Sequence, residues 1–313
     1  MNPVEYFRSA FTGTPQARSQ LLQALAAGAD IGSGVAELQR LCPGDAGRDP
    51  EAPVFLLSAG WRSGSTMLQR LIMSDPRVLL WGEPFDECGP VQAMAGMVRA
   101  FRSGWPPPDY YISHHGNVRP VDLTDDWIAN LFPAPETIRA SHRAYFDAAY
   151  SAPARRAGCE RWGIKEVRLT VDHARYLKWL YPNATFVFLY RDPFAAYRSY
   201  CRFGRNWYDL FPHQPMFTPA AFGRHWRELL LGFMRADPSL GGLLVRYEDL
   251  VAGKPDVLQR IERHLDLRLD ASILGQKVGT SERGGRKARV SWLERTLLQR
   301  AVAPLAEELG YAW

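Results

Sequence analysis

Long apolar runs are missing from this 313-residue sequence, and nothing in it approaches the roughly 18 consecutive apolar residues of a membrane span. The N-terminus MNPVEYFRSAFTGTPQARSQ also lacks the charged-then-apolar order of a secretory signal. The expected setting is therefore cytoplasmic, with no membrane partner. Cysteine is scarce. Cys42, Cys88, Cys159 and Cys201 are too scattered for the close pairs of a zinc site and too few for a disulfide scaffold, so free thiols are expected. Neither sign of charge dominates, since 38 Lys and Arg stand against 33 Asp and Glu for a net +5. That modest excess suits a small anionic ligand. With no recognition-helix, zinc-finger or RNA-binding signature, nothing points to a nucleic-acid partner. Internal repeats and low-complexity stretches are absent too, which excludes solenoids and arrays.

What is present is the make-up of an ordinary globular enzyme, 46% hydrophobic and 23% charged. Residues 16–41 carry Leu21, Leu22, Leu25, Val35, Leu38 and Leu41 at helical spacing, interrupted by Gly28, Gly32 and Gly34, and read as two short helices. A Pro-, Gly- and Asp-rich loop, CPGDAGRDPEAP, follows. Short apolar runs at 53–58 (PVFLLS), 78–81 (VLLW), 184–190 (ATFVFLY) and 243–247 (LLVRY) read as buried strands, each followed by a plausible helix. That alternation predicts an α/β fold, a P-loop-type parallel sheet flanked by helices, with helical insertions. A single domain over 1–313 is expected, with a helical extension at 1–48 and a helix-and-loop insert at 88–160 that shapes an acceptor site.

The first strand stops at Gly60-Trp61-Arg62-Ser63-Gly64-Ser65-Thr66, and a helical pattern begins there. A strand, a glycine turn and a helix start hold phosphate well, because unpaired backbone N–H groups and the helix dipole point at the anion. Gly60 and Gly64 allow close backbone approach, Ser63, Ser65 and Thr66 add hydroxyl donors, and Arg62 adds a permanent charge. A polar turn without a ligand has the same local composition. The loop lacks the Gly-Lys-Ser/Thr ending of a nucleotide kinase, the main rival reading, beside a non-catalytic module that binds an adenine nucleotide. Further on, Arg191 emerges at a strand tip, Asp192 can cap the next helix and Pro193 fits its first turn; Ser199 lies eight residues after Arg191. This is a second place for an anion, or only a capped helix start.

SAGWRSGST resembles the 5′-phosphosulfate loop of sulfotransferases that use 3′-phosphoadenosine 5′-phosphosulfate (PAPS), particularly the carbohydrate and tyrosylprotein branches. The resemblance implies that Arg62, Ser63, Gly64, Ser65 and Thr66 hold the 5′-phosphate and sulfate. Arg191 and Ser199 resemble the family's 3′-phosphate motif. Tyr247, in VRYEDLV, matches its adenine-side tyrosine, though a tyrosine at a strand end can equally serve the core. Arg286 and Lys287 in GGRKAR loosely resemble the closing basic loop, which departs from the longer Arg-Lys-Gly motif of the cytosolic branch. The likeness runs over about residues 53–310 and is specific at the first two motifs.

Sulfuryl transfer resembles phosphoryl transfer in being loose and in-line, so the enzyme positions reactants and stabilises charge. The sulfuryl group is the less charged, and no carboxylate pair for Mg²⁺ is evident, so no metal is expected. The cytosolic branch's histidine base is replaced by valine in Gly163-Ile164-Lys165-Glu166-Val167-Arg168. Glu83, 21 residues beyond Arg62, resembles the catalytic glutamate of the tyrosylprotein enzymes. Trp81, Pro84 and Phe85 give it the apolar setting that lets a carboxylate act as base, although it could instead pair with Arg62 or cap a helix. Asp86 and Glu87 are reserve candidates, resemblance to the lysine-containing strand end of the same branch implies Lys165 at the bridging oxygen, and His114 and His115 could line the acceptor site. The expectation is a PAPS-dependent sulfotransferase acting on a glycan or a glycosylated or other small metabolite, in an unknown oligomeric state.

Overall fold

The computed structural model describes residues 30–43, 51–83, 89–116, 119–125, 128–202, 218–276 and 290–312. Contacts divide the chain into two compact units, Met1–Pro43 with Met94–Arg139, and Gly44–Ala93 with Ala140–Trp313.

In the first unit, helix α1 (Ile31–Leu41) begins where the Asp30 side chain accepts the Ser33 N–H at 2.5 Å, and it buries Ile31, Val35 and Leu38 on one face. Gly32 and Gly34, expected to interrupt a helix, lie inside it. The reason is packing. A Cβ on Gly34 would fall 2.1 Å from the Val98 carbonyl oxygen, so this close backbone approach admits only glycine, whatever the ~1 kcal/mol that glycine costs a helix. The predicted helix preceding α1 falls outside the described residues. Elsewhere in this unit short 3₁₀ turns are joined by a Tyr111–Phe132 bridge, whose rings lie 6.0 Å apart.

The second unit carries the sheet. Along the chain run β1 (Val54–Ser58), α2 (Ser65–Ile72), β2 (Val78–Trp81) and α3 (Gly89–Met97), then α4 (Pro135–Phe146) and α5 (Ala152–Arg156). There follow β3 (Arg161–Glu166), α6 (Val171–Leu180), β4 (Thr185–Tyr190), α7 (Pro193–Arg202) and α8 (Pro219–Met234). The chain closes with β5 (Gly242–Arg246), α9 (Tyr247–Val251), α10 (Pro255–Leu265) and α11 (Trp292–Glu308). The five strands are parallel in the order β2-β3-β1-β4-β5. An all-parallel sheet must be covered on both faces, and the residue alternation shows how. Val54, Leu56, Val187 and Leu189 face an aliphatic core with Leu68 and Leu71 of α2 and Ile261 of α10. Their neighbours Phe55, Phe186 and Phe188 form an aromatic one, in which Phe55 and Phe186 lie 5.4 Å apart and Phe188 stacks on Phe233 of α8 at 4.5 Å.

β3 was not among the apolar runs that read as strands, yet every one of its residues is buried. Its sequence RWGIKE hides it because three of six side chains are charged. Each charge is answered inside the fold: Arg161 donates to the carbonyls of Ala52 (3.0 Å) and Leu265 (2.5 Å), and Glu166 accepts the Val167 N–H at 3.0 Å. Lys165 has its own partner, described below. Among the described residues, no helix is long and apolar enough to cross a membrane.

Candidate active site

The C-terminal ends of all five strands converge on one edge, where ligands of open α/β sheets bind. The Ala59 N–H still pairs with Leu189 of β4 (2.8 Å), and beyond it the chain leaves the sheet. Three residues there adopt the left-handed region, Gly60 (φ 86°), Arg62 (φ 60°) and Gly64 (φ 87°). Such alternation turns successive N–H groups toward one concavity, the geometry of an anion nest. A non-glycine residue at positive φ is uncommon, so Arg62 is held there by its surroundings. Gly64 caps α2 with no side-chain hydrogen bond, and its carbonyl accepts the Met67 N–H at 2.9 Å, so it is the N–H groups of Ser65 and Thr66 that suit a ligand or water. Ser63 and Ser65 are buried, Thr66 is exposed, and among the described residues the Ser63 Oγ has no hydrogen-bond partner.

Underneath, Trp61 is buried against His225 of α8, with ring centroids 4.9 Å apart, and the Arg168 guanidinium lies 6.0 Å from its ring. Burial, together with the Arg168 charge, pushes the His225 imidazole down to about 4, so it is neutral at physiological pH. The sequence carried no signal for this support. His225 sits in a helix far along the chain, and only the packing of α8 brings it to the loop.

The tip of β4 meets the loop directly. Arg191 donates to the Arg62 carbonyl at 2.9 Å, and the Arg62 Nε donates to the Ser199 Oγ at 3.1 Å. The two stretches that read separately as anion sites are thus one contact set. Asp192 caps α7 by accepting the Phe194 N–H at 2.8 Å. The Arg191 guanidinium stacks 4.5 Å from the Tyr247 ring, and that ring covers Gly64 so closely that a Cβ there would lie 2.1 Å from it. Tyr247, which could have been a core residue, is half-buried between the phosphate-type loop and Arg191.

On the other side of β1, Leu56 is registered against Lys165 of β3. The buried Lys165 ammonium forms an ion pair with the Glu83 carboxylate, just past β2. Glu83 remains about one-fifth exposed, so a solute can reach it. Trp81, two residues earlier, donates its indole N–H to the Tyr150 carbonyl at 3.1 Å. Pro84, Phe85, Asp86, Glu87, Arg286 and Lys287 lie outside the described residues. His114 and His115 belong to the first unit, where His115 Nε2 lies 2.9 Å from the Asp109 carbonyl oxygen. Among the described residues there is no group of three or more potential metal ligands.

A nest, a helix start, three cations and one reachable carboxylate form a site for an anionic ligand with acid–base chemistry beside it. The family model that matches, over residues 53–271, is that of the sulfotransferase family. The chain belongs to this family. Its sheet and flanking helices are those of a sulfotransferase, and sulfuryl transfer comes with the membership. Solved sulfotransferases resemble it at a distance. The sulfotransferase domain of the Synechococcus PCC 7002 olefin synthase is 20% identical, over 86% of this chain and 98% of that one, at a TM-score of 0.46. The domain from the curacin biosynthetic pathway is 13% identical, over 85% and 99%, at 0.43. Sulfotransferase STF9 from Mycobacterium avium is 17% identical, over 96% and 87%, at 0.39. No curated relative matches the chain.

Proposed function

We propose that this sulfotransferase transfers the sulfuryl group of PAPS to a hydroxyl of a glycan or a glycosylated or other small metabolite, without a metal. The observation that carries the reading is the contact set of Arg62, Arg191 and Tyr247, past the ends of β1, β4 and β5, with Ser199 of α7. A donor with phosphates at both 3′ and 5′ needs two cationic stations a ribose apart, and a buried Ser63 hydroxyl without a partner fits a loop made to be completed by an anion. The loop N–H groups, Ser63, Ser65 and Thr66 hold the 5′-phosphosulfate; Arg191 and Ser199 hold the 3′-phosphate; Tyr247 flanks the adenine. By the same family resemblance, Arg286 and Lys287 are assigned to the 3′-phosphate.

Glu83 is the base. It takes the proton of the acceptor hydroxyl as that oxygen bonds to sulfur, while Lys165 and Arg62 neutralise the charge left on the 5′-phosphate oxygen as its bond to sulfur breaks. The Lys165 pairing supports this assignment, because it fixes the carboxylate beside the cation that serves the leaving oxygen. The Arg-containing loop favours the carbohydrate and tyrosylprotein side of the family.

Calorimetric titration with 3′-phosphoadenosine 5′-phosphate, and separately with ATP and Mg²⁺, tests the donor assignment. Metal-independent binding of the bisphosphate is expected, with about a hundredfold loss in Arg191→Ala, a few kcal/mol for a charge-assisted contact. Better binding of ATP with Mg²⁺, or no effect of the substitution, overturns it.

A further inference from the structure

The peptide that joins Arg191 to Asp192 is held at both of its polar atoms. Its carbonyl oxygen accepts the Trp226 indole N–H at 3.0 Å, and its N–H donates to Glu248 Oε1 at 3.0 Å. Glu248 is itself held. Its other carboxylate oxygen accepts the Tyr311 hydroxyl at 2.8 Å, and that hydroxyl accepts the Arg246 Nε at 3.1 Å. The Arg246 guanidinium lies 4.5 Å from the Tyr311 ring, and Tyr190, the last residue of β4, packs edge-on to the same ring at 6.4 Å.

Tyr311 comes from the far end of the chain. Helix α11 stops because Gly310 turns left-handed (φ 72°), and the Tyr311 N–H then reaches back to the Ala306 carbonyl at 2.7 Å. This is a Schellman ending, which fixes where the following side chain points. Tyr311 is buried, and burial together with the adjoining Glu248 charge raises its phenol well above the ordinary range, so the hydroxyl keeps its proton. A protonated phenol can donate to one side and accept from the other, and a chain of such bonds in a low-dielectric site is stiffer than its separate links.

Building on the donor reading above, we propose that Tyr311 is a positioning residue for 3′-phosphate recognition. Through Glu248 it fixes the Arg191–Asp192 peptide and so aims the Arg191 side chain. Tyr311 touches no reacting atom. Its effect is confined to what Arg191 does, which separates it from a residue that merely stabilises the fold.

The experiment compares 3′-phosphoadenosine 5′-phosphate with adenosine 5′-monophosphate, titrated into the wild type, Tyr311→Phe and Glu248→Gln, with thermal unfolding of each. Tyr311→Phe is expected to weaken the bisphosphate about tenfold and leave the monophosphate within about twofold. Glu248→Gln keeps an acceptor for the Asp192 N–H but loses its charge, and should shift the same ratio in the same direction; it decides the matter if Tyr311→Phe does not fold. Variants that keep the wild-type preference, or lose both nucleotides equally, overturn the positioning role while the donor reading stands. A wild type that binds the two nucleotides equally overturns the 3′-phosphate reading, and the positioning role with it.

Discussion

At the scale of single residues, the site depends on Glu83 and Lys165, two side chains 82 positions apart that meet as an ion pair. A base must lie within reach of the proton it takes, and one-fifth exposure leaves Glu83 accessible while Lys165 is almost covered. Glu83→Gln keeps the shape and removes the basic oxygen. With saturating donor and acceptor, kcat should fall about 10²- to 10⁴-fold, while affinity for the bisphosphate changes little. A variant with near-wild-type kcat would remove Glu83 from the chemistry. The position of Glu83 after a strand was readable in the sequence. Its partner was not fixed by any local pattern, since Arg62 was an equally available cation.

At the scale of elements, the β1–α2 turn is the part most sensitive to backbone change. Gly60 and Gly64 share the same left-handed φ, so any side chain strains both. They differ in space. A Cβ on Gly60 would stand 3.8 Å from His225, an ordinary contact, whereas one on Gly64 would clash with the edge of the Tyr247 ring at 2.1 Å. Gly60→Ala should therefore cost about 1 kcal/mol and keep bisphosphate binding, while Gly64→Ala should displace Tyr247 and lose binding at least about tenfold. Calorimetry beside thermal unfolding checks both, and equal behaviour of the two variants would count against Tyr247 as the adenine neighbour. The glycine turn was legible because its signal is contiguous. β3 was not, because a buried strand with three charges looks polar until Ala52, Leu265, Val167 and Glu83 supply their partners.

At the scale of the whole molecule, stability should fall on the acid side. His142, His225 and His264 are all lowered by burial, and hydrogen bonds from Arg77 hold Asp75 far below the ordinary carboxylate range. A depressed pKa means that the unfolded chain binds the proton first. The stabilisation is then complete above the unfolded value and is lost as pH falls toward the folded one. For His225 that window runs from 6.5 down to about 4 and amounts to roughly 3 kcal/mol. Asp75 adds a further loss below 3.8. Denaturant unfolding at pH 7 and pH 5 should show lower stability at pH 5, with a smaller difference in His225→Phe. A pH-independent stability would mean that His225 is not held neutral.

The sequence by itself determined the fold class, the glycine turn and the Arg-Asp-Pro turn, because each is written in adjacent residues whose backbone preferences and alternation are local properties. Only the tertiary structure decided that Arg62 meets Ser199, that Glu83 meets Lys165, that His225 and Trp61 brace the loop, and that Tyr311 reaches Glu248. These are contacts between the ends of different strands and helices. Strand order and helix packing set them, and neither is encoded in any short stretch of chain.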